Sequence, residues 1–120
     1  MSLLNNPKTK VVAEVLIHHV AENKDNLIIT YGDVSKLTDN AIYHRNLGRY
    51  LYVIADACKE LGLPYLTAIV CTKGSAFPGN GFFDEYFPGL NDQEKHDVFA
   101  KCLNEIRECN DWGKLIEYIK

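Results

Sequence analysis

Arg45 stands between His44 and Asn46, and Arg49 follows four residues later, one helical turn on. Tyr31 and Lys36 precede them in the same stretch, T-Y-G-D-V-S-K-L-T-D-N-A-I-Y-H-R-N-L-G over residues 30–48. A guanidinium offers donors in a rigid fork that fits phosphate oxygens and the guanine edge, while Asn and His suit base edges. Placed at the start of a helix, such side chains can hold phosphates or read bases. The same residues would also make an ordinary solvated helix face, and both readings stay open on the sequence alone.

Other chemistries fit less well. Gly74 and Gly79 have the spacing of a phosphate-binding loop, but Asn80-Gly81 stands where Lys-Ser/Thr is required, so nothing reaches the terminal phosphates. His18 and His19 are neighbours on a helical pattern, point about 100° apart and cannot share a metal. His96, Cys102 and Cys109 are spaced six and seven apart, the spacing of a core edge rather than of a zinc site. None of Ser2, Ser35 and Ser75 lies in a nucleophile elbow. Cys71, near Lys73, could be an activated thiol, but it reads first as a buried strand cysteine. Asp84-Glu85 looks like a solvated face. No catalytic constellation emerges, so a non-enzymatic protein is expected, without cofactor, metal or small-molecule substrate.

The elements that must position the arginines can be read along the chain. Asn6 caps a helix with Pro7 at its first position, and Val12, Val15, Leu16, His19 and Val20 share one face. Leu27–Ile29 reads as a small strand. Thr30 caps a short helix with Asp33 in its first turn, Val34 and Leu37 turning inward. Leu47, Tyr50, Leu51, Ile54, Cys58 and Leu61 form the stripe of a helix over 42–62, closed by Gly62 and Pro64. Its opposite face carries His44, Arg45, Arg49, Tyr52 and Asp56, with Asn46 at the edge. Tyr65–Thr72 reads as a buried strand and 73–83 as a Gly- and Pro-rich loop. Asn91 caps a helix striped by Val98, Phe99, Cys102, Leu103 and Ile106, and a last turn or two carries Trp112, Leu115, Ile116 and Ile119.

With 120 residues, 47% of them apolar and 24% charged, one globular domain is expected. No apolar run approaches the roughly 18 residues of a membrane span, and the N-terminus lacks the pattern of a signal peptide, so no membrane contact and a cytoplasmic setting are expected. There Cys58, Cys71, Cys102 and Cys109 should be free thiols, with Cys58 and Cys102 buried. The net charge of −3 is uneven. Residues 1–81 carry eight Lys/Arg against seven Asp/Glu (+1), and residues 82–120 five against nine (−4). An anion-binding surface therefore belongs to the first two thirds.

The series I-T-Y-G-D-V-S-K-L-T, H-R-N-L-G, then a helix and L-P-Y-L-T-A-I-V, resembles the winged-helix domain of the O6-alkylguanine-DNA alkyltransferases and alkyltransferase-like proteins. The resemblance covers about residues 9–83 and rests on short motifs. That family opens its helix-turn-helix with Ser/Thr-Tyr-Gly and its recognition helix with Ala-Arg-x-Val-Gly. By resemblance, Tyr31 would press on a phosphate during base flipping, Arg45 would enter the stack where the base leaves, and Gly48 would be a close-packing glycine. The reactive Pro-Cys-His-Arg is absent; the corresponding strand reads A-I-V-C-T-K-G, and alkyl transfer is not expected. The run from Gly62 to Phe82 also resembles small bacterial and phage proteins, some with nuclease or restriction neighbourhoods.

The expected fold is α+β, a winged-helix-like helix-turn-helix core (about 7–83) with a small antiparallel sheet and an acidic helical C-terminal part (about 84–120). The expected function is binding of double-stranded DNA through Tyr31, Lys36, His44, Arg45, Asn46, Arg49 and Lys73, with helix 42–62 as recognition helix and the 73–83 loop as wing. The alternative is a protein-interaction module, such as an inhibitor or accessory subunit in phage–host conflict. It would use the acidic helices 91–119 or the aromatic loop with Phe77, Phe82, Phe83, Tyr86 and Phe87.

Overall fold

Asn6 accepts from the Lys8 amide at 2.9 Å and Pro7 takes the first helical position, so helix α1 (Pro7–Glu22) begins where the missing proline donor costs nothing. The computed structural model describes residues 6–39, 42–72, 74, 77, 78 and 80–119. α1 buries Thr9, Val12, Ala13, Leu16 and Val20 on one side. Strand β1 (Ile29–Thr30) leads directly into helix α2 (Tyr31–Leu37), whose cap is Thr30, accepting from the Asp33 amide at 3.1 Å. Leu37, expected inside, is 57% exposed. α2 ends before the turn that places the arginines. Thr38 donates through Oγ1 to the Ser35 carbonyl at 2.7 Å, and Ser35 Oγ donates to the Ile42 carbonyl. Asp39 is left-handed (φ 57°), a conformation that short polar side chains tolerate.

The expected helix 42–62 is instead a single 3-10 turn, His44–Asn46, followed by helix α3 (Leu47–Leu61). α3 buries Leu47, Tyr50, Leu51, Ile54 and Cys58 as its stripe requires, with Ala55 and Ala57 besides. Gly62 ends it at φ 71°, where a Cβ would be strained.

Two expectations fail here. The buried run read as a strand over 65–72 is a 3-10 segment, Leu66–Ile69, followed by the two-residue strand β2 (Val70–Cys71). The sheet is also parallel, not antiparallel, with Ile29 opposite Val70 and Thr30 opposite Cys71. α2 and α3 carry the chain back to its starting edge, and such a helical crossover returns a strand in the same direction. The wing also fails in part. Residues from 80 onward form helix α4 (Asn80–Tyr86), and among the described residues no strand follows β2.

Helix α5 (Asp92–Glu108) opens with a capping box in which Asn91 and Glu94 satisfy each other's backbone amides at 2.8 and 3.0 Å. Helix α6 (Trp112–Ile119) completes a mostly helical α+β structure. The C-terminal helices are part of the main core. Ile106, Leu115 and Ile119 are buried together with Leu16 and Ile54, and α6 packs on both α1 and α3. Each such side chain contributes about 1.5–3 kcal/mol by leaving water. The aromatic segment packs inward as well. Phe83 is fully buried, Phe77 stacks on it at 5.1 Å, and Tyr65 meets Phe82 and Phe87 edge-on. No described helix is long and apolar enough to cross a membrane.

All four cysteines are free thiols, Cys109 half-buried and the others buried. Thiol labelling after denaturation should give four per chain with and without reductant, and native labelling should reach Cys109 first. A lower denatured count without reductant would mean that oxidised pairs form.

Candidate nucleic-acid interface

The bonded α2–α3 turn holds Arg45 and Asn46 in the 3-10 segment and Arg49 in the first turn of α3, and all three are exposed. Neither arginine makes a hydrogen bond or ion pair with another described residue. Asn46 occupies the cap position of α3 in helical geometry, without a capping bond, and the first turn contains no acidic residue. α2 and α5 differ: both have a side-chain cap and acid in the first turn. The start of α3 thus keeps its positive dipole end and two guanidinium groups without internal neutralisation.

Further along the same face lie exposed Tyr52 and Asp56. Beside them runs a cleft lined by Tyr31, Gly48, Leu51, Tyr52, Pro78 and Tyr86, among others. α4 forms its far wall. Tyr86 donates to Asp56 Oδ1 at 2.8 Å and to the Tyr52 carbonyl at 3.3 Å, and its ring lies 4.8 Å from Tyr65. Burial, followed by the bond to Asp56, raises the Tyr86 hydroxyl far above its ordinary pKa, so it remains a donor. Tyr31, half-buried at the first position of α2, is also raised, first by burial and then by its neighbours Tyr52 and Cys71. Next in the chain to Val70, which lines the cleft, the fully buried Cys71 donates to the Ile69 carbonyl at 3.6 Å, and burial pushes its pKa up to about 11. A thiol held protonated is a poor nucleophile.

Gly48 corrects one expectation. A Cβ built there meets nothing within 4 Å, so the glycine does not serve close packing; it lines the cleft and leaves it open. Gly48→Ala should therefore stabilise the protein by about 0.4–1 kcal/mol through helix preference and a stiffer unfolded chain. Urea denaturation would show it as a higher midpoint at unchanged m; a lower midpoint would restore the packing role.

Of the residues expected from sequence, the fold brings Tyr31 to the α3 face across the cleft and groups Arg45, Asn46 and Arg49 at the start of α3. His44 lies in the 3-10 turn beside Arg45. Lys36 is exposed on α2, five residues beyond Tyr31, and lines no part of the cleft. Lys73 lies outside the described residues. Pro78 was missed, and Tyr86 was expected only in the aromatic loop of the interaction alternative, because no local pattern signals that α4 folds against α3. Among the described residues no cluster of His, Cys, Asp or Glu could hold a metal ion. The chain matches no protein-family model, no curated protein and no solved structure.

Proposed function

We propose that the chain is a cytoplasmic, non-enzymatic DNA-binding module, winged-helix-like in the order of α1, β1, α2, α3 and β2. It lays the start of α3 against duplex DNA. The observation that carries this reading is the pair Arg45 and Arg49, exposed one turn apart at an uncapped helix start, with no protein partner among the described residues. Phosphates would neutralise what the fold leaves unneutralised. Asn46, exposed next to Arg45, would meet a base edge, and His44 and Lys36 would add the further contacts expected from the sequence. Tyr31, at the cleft, takes the phosphate contact that the alkyltransferase-like resemblance implies.

A second reading, protein interaction, is favoured by α5, where Asp92, Glu94, Asp97, Glu105 and Glu108 are all exposed. The aromatic segment supports it less, since its rings pack on one another. Titrating a short duplex into isotope-labelled protein separates the two. The DNA reading expects amide shifts concentrated at residues 31–36 and 44–52 and absent from 92–108. Shifts absent from the first group would overturn it.

A further inference from the structure

Along the outer side of α1, Lys8, Val11, Val15, His18 and Glu22 follow one another at steps of three, four, three and four residues, with Val15 also touching the core at its inner edge. That spacing draws a single seam along the helix. Val11 is 39% exposed, Val15 half-buried, and the other three exposed. Leu37, at the end of α2, and Ile116, on α6, border the part of the seam from Val11 to Glu22 in one open groove that also contains Glu14 and His19, and Lys8 lies beyond its end. Apolar surface is thus displayed on a face with no role in the α3 site.

The seam has a symmetry that selects its partner. Val15 is central, Lys8 lies seven residues before it and Glu22 seven after, about 10 Å to either side at 1.5 Å per residue. Read along the helix, the order is basic, apolar, apolar, imidazole, acidic. A two-fold axis through Val15 sets Lys8 of each copy against Glu22 of the other, Val15 against Val15, and Val11 within one residue's rise, about 1.5 Å, of the level of His18. Both charged pairs are then opposite in sign, as a self-complementary interface requires. Glu22 is shared between Lys8 of the other copy and His18 of its own helix, which it meets at 2.9 Å. Glu14 of the two copies, one residue from the axis, is a like-charged contact that keeps the association weak.

We propose that a second copy of this chain docks on this groove, with α1 antiparallel to α1, to form a two-fold dimer. One helix face with its borders is small beside the roughly 800 Å² per partner of a stable complex, so the dimer is weak and concentration-dependent. α1 meets α3 through its inner side, so the pairing leaves Arg45 and Arg49 uncovered.

Sedimentation equilibrium at low salt, up to about 1 mM protein, tests the pairing. Wild type should show a monomer–dimer equilibrium. Lys8→Glu and Glu22→Lys should each weaken it about tenfold, because a reversal turns two attractions into two repulsions. Circular dichroism should show both variants folded, since Lys8 and Glu22 are exposed. The double variant Lys8→Glu/Glu22→Lys restores opposite charges and should return the dissociation constant to within about threefold of wild type. A wild type that stays monomeric throughout, a dimer indifferent to both single reversals, or a double variant without recovery would each overturn the proposal.

Discussion

Above pH 9 the protein should lose stability steeply and unfold as the pH approaches 11. Three buried thiols drive this. Burial raises Cys58, Cys71 and Cys102 from about 9 to about 11, since a thiolate would lie in apolar surroundings. In the unfolded chain these thiols release their protons near pH 9, whereas the folded state holds them until about 11. Between those values the folded state binds more protons, so stability falls as pH rises; below about 9 the contribution is fully present. Each thiol gives a limiting slope of about 1.4 kcal/mol per pH unit. Tyr31, Tyr65 and Tyr86, all raised chiefly by burial, add to the loss at higher pH. Urea midpoints measured from pH 8 to 11 should fall throughout the upper range, and Cys58→Ala should flatten the slope by one thiol's share. A midpoint level up to pH 11 would show that the thiols are not held as this packing holds them.

Removing both arginines should nearly abolish DNA binding while leaving the fold intact. Arg45 and Arg49 are exposed and make no hydrogen bond or ion pair with described residues, so Arg45→Ala/Arg49→Ala should change stability by no more than about 0.5 kcal/mol. Each lost phosphate contact should lower the slope of log affinity against log salt by about 0.9, and the double variant by about twice that. Arg45 should be the stronger contributor, because it stands in the 3-10 turn ahead of α3 and Arg49 lies a turn farther along. If Arg45 instead reads a base, its loss should cost about 1–3 kcal/mol at one base pair and leave other sequences little affected. An unfolded Arg45→Ala variant would make the junction structural.

The helix boundaries were legible where a side chain performs a local task. Asn6 with Pro7, Thr30 with Asp33, Gly62, and Asn91 with Glu94 each mark a terminus that the structure keeps. The α3 stripe was legible for the same reason, and with it the exposed arginine face. The strand over 65–72 was misread because a fully buried apolar run carries no period, and only Val70 and Cys71 find a strand to pair with. Sheet direction depends on what lies between the strands, and here two helices do. α4 did leave a signal: Phe82, Phe83, Tyr86 and Phe87 recur at helical spacing beneath the glycines that suggested a loop. The cleft was not legible, because Tyr86 reaches Asp56 across 30 residues of chain.

Fluorescence anisotropy of a labelled duplex, titrated with wild-type protein at salt from about 50 to 200 mM, tests the DNA reading most directly. The expected result is binding at the lowest salt, weakening linearly on a log–log plot with a slope of about −2 or steeper, from Arg45, Arg49 and the basic residues beside them. No binding at low ionic strength, or an affinity indifferent to salt, would contradict it.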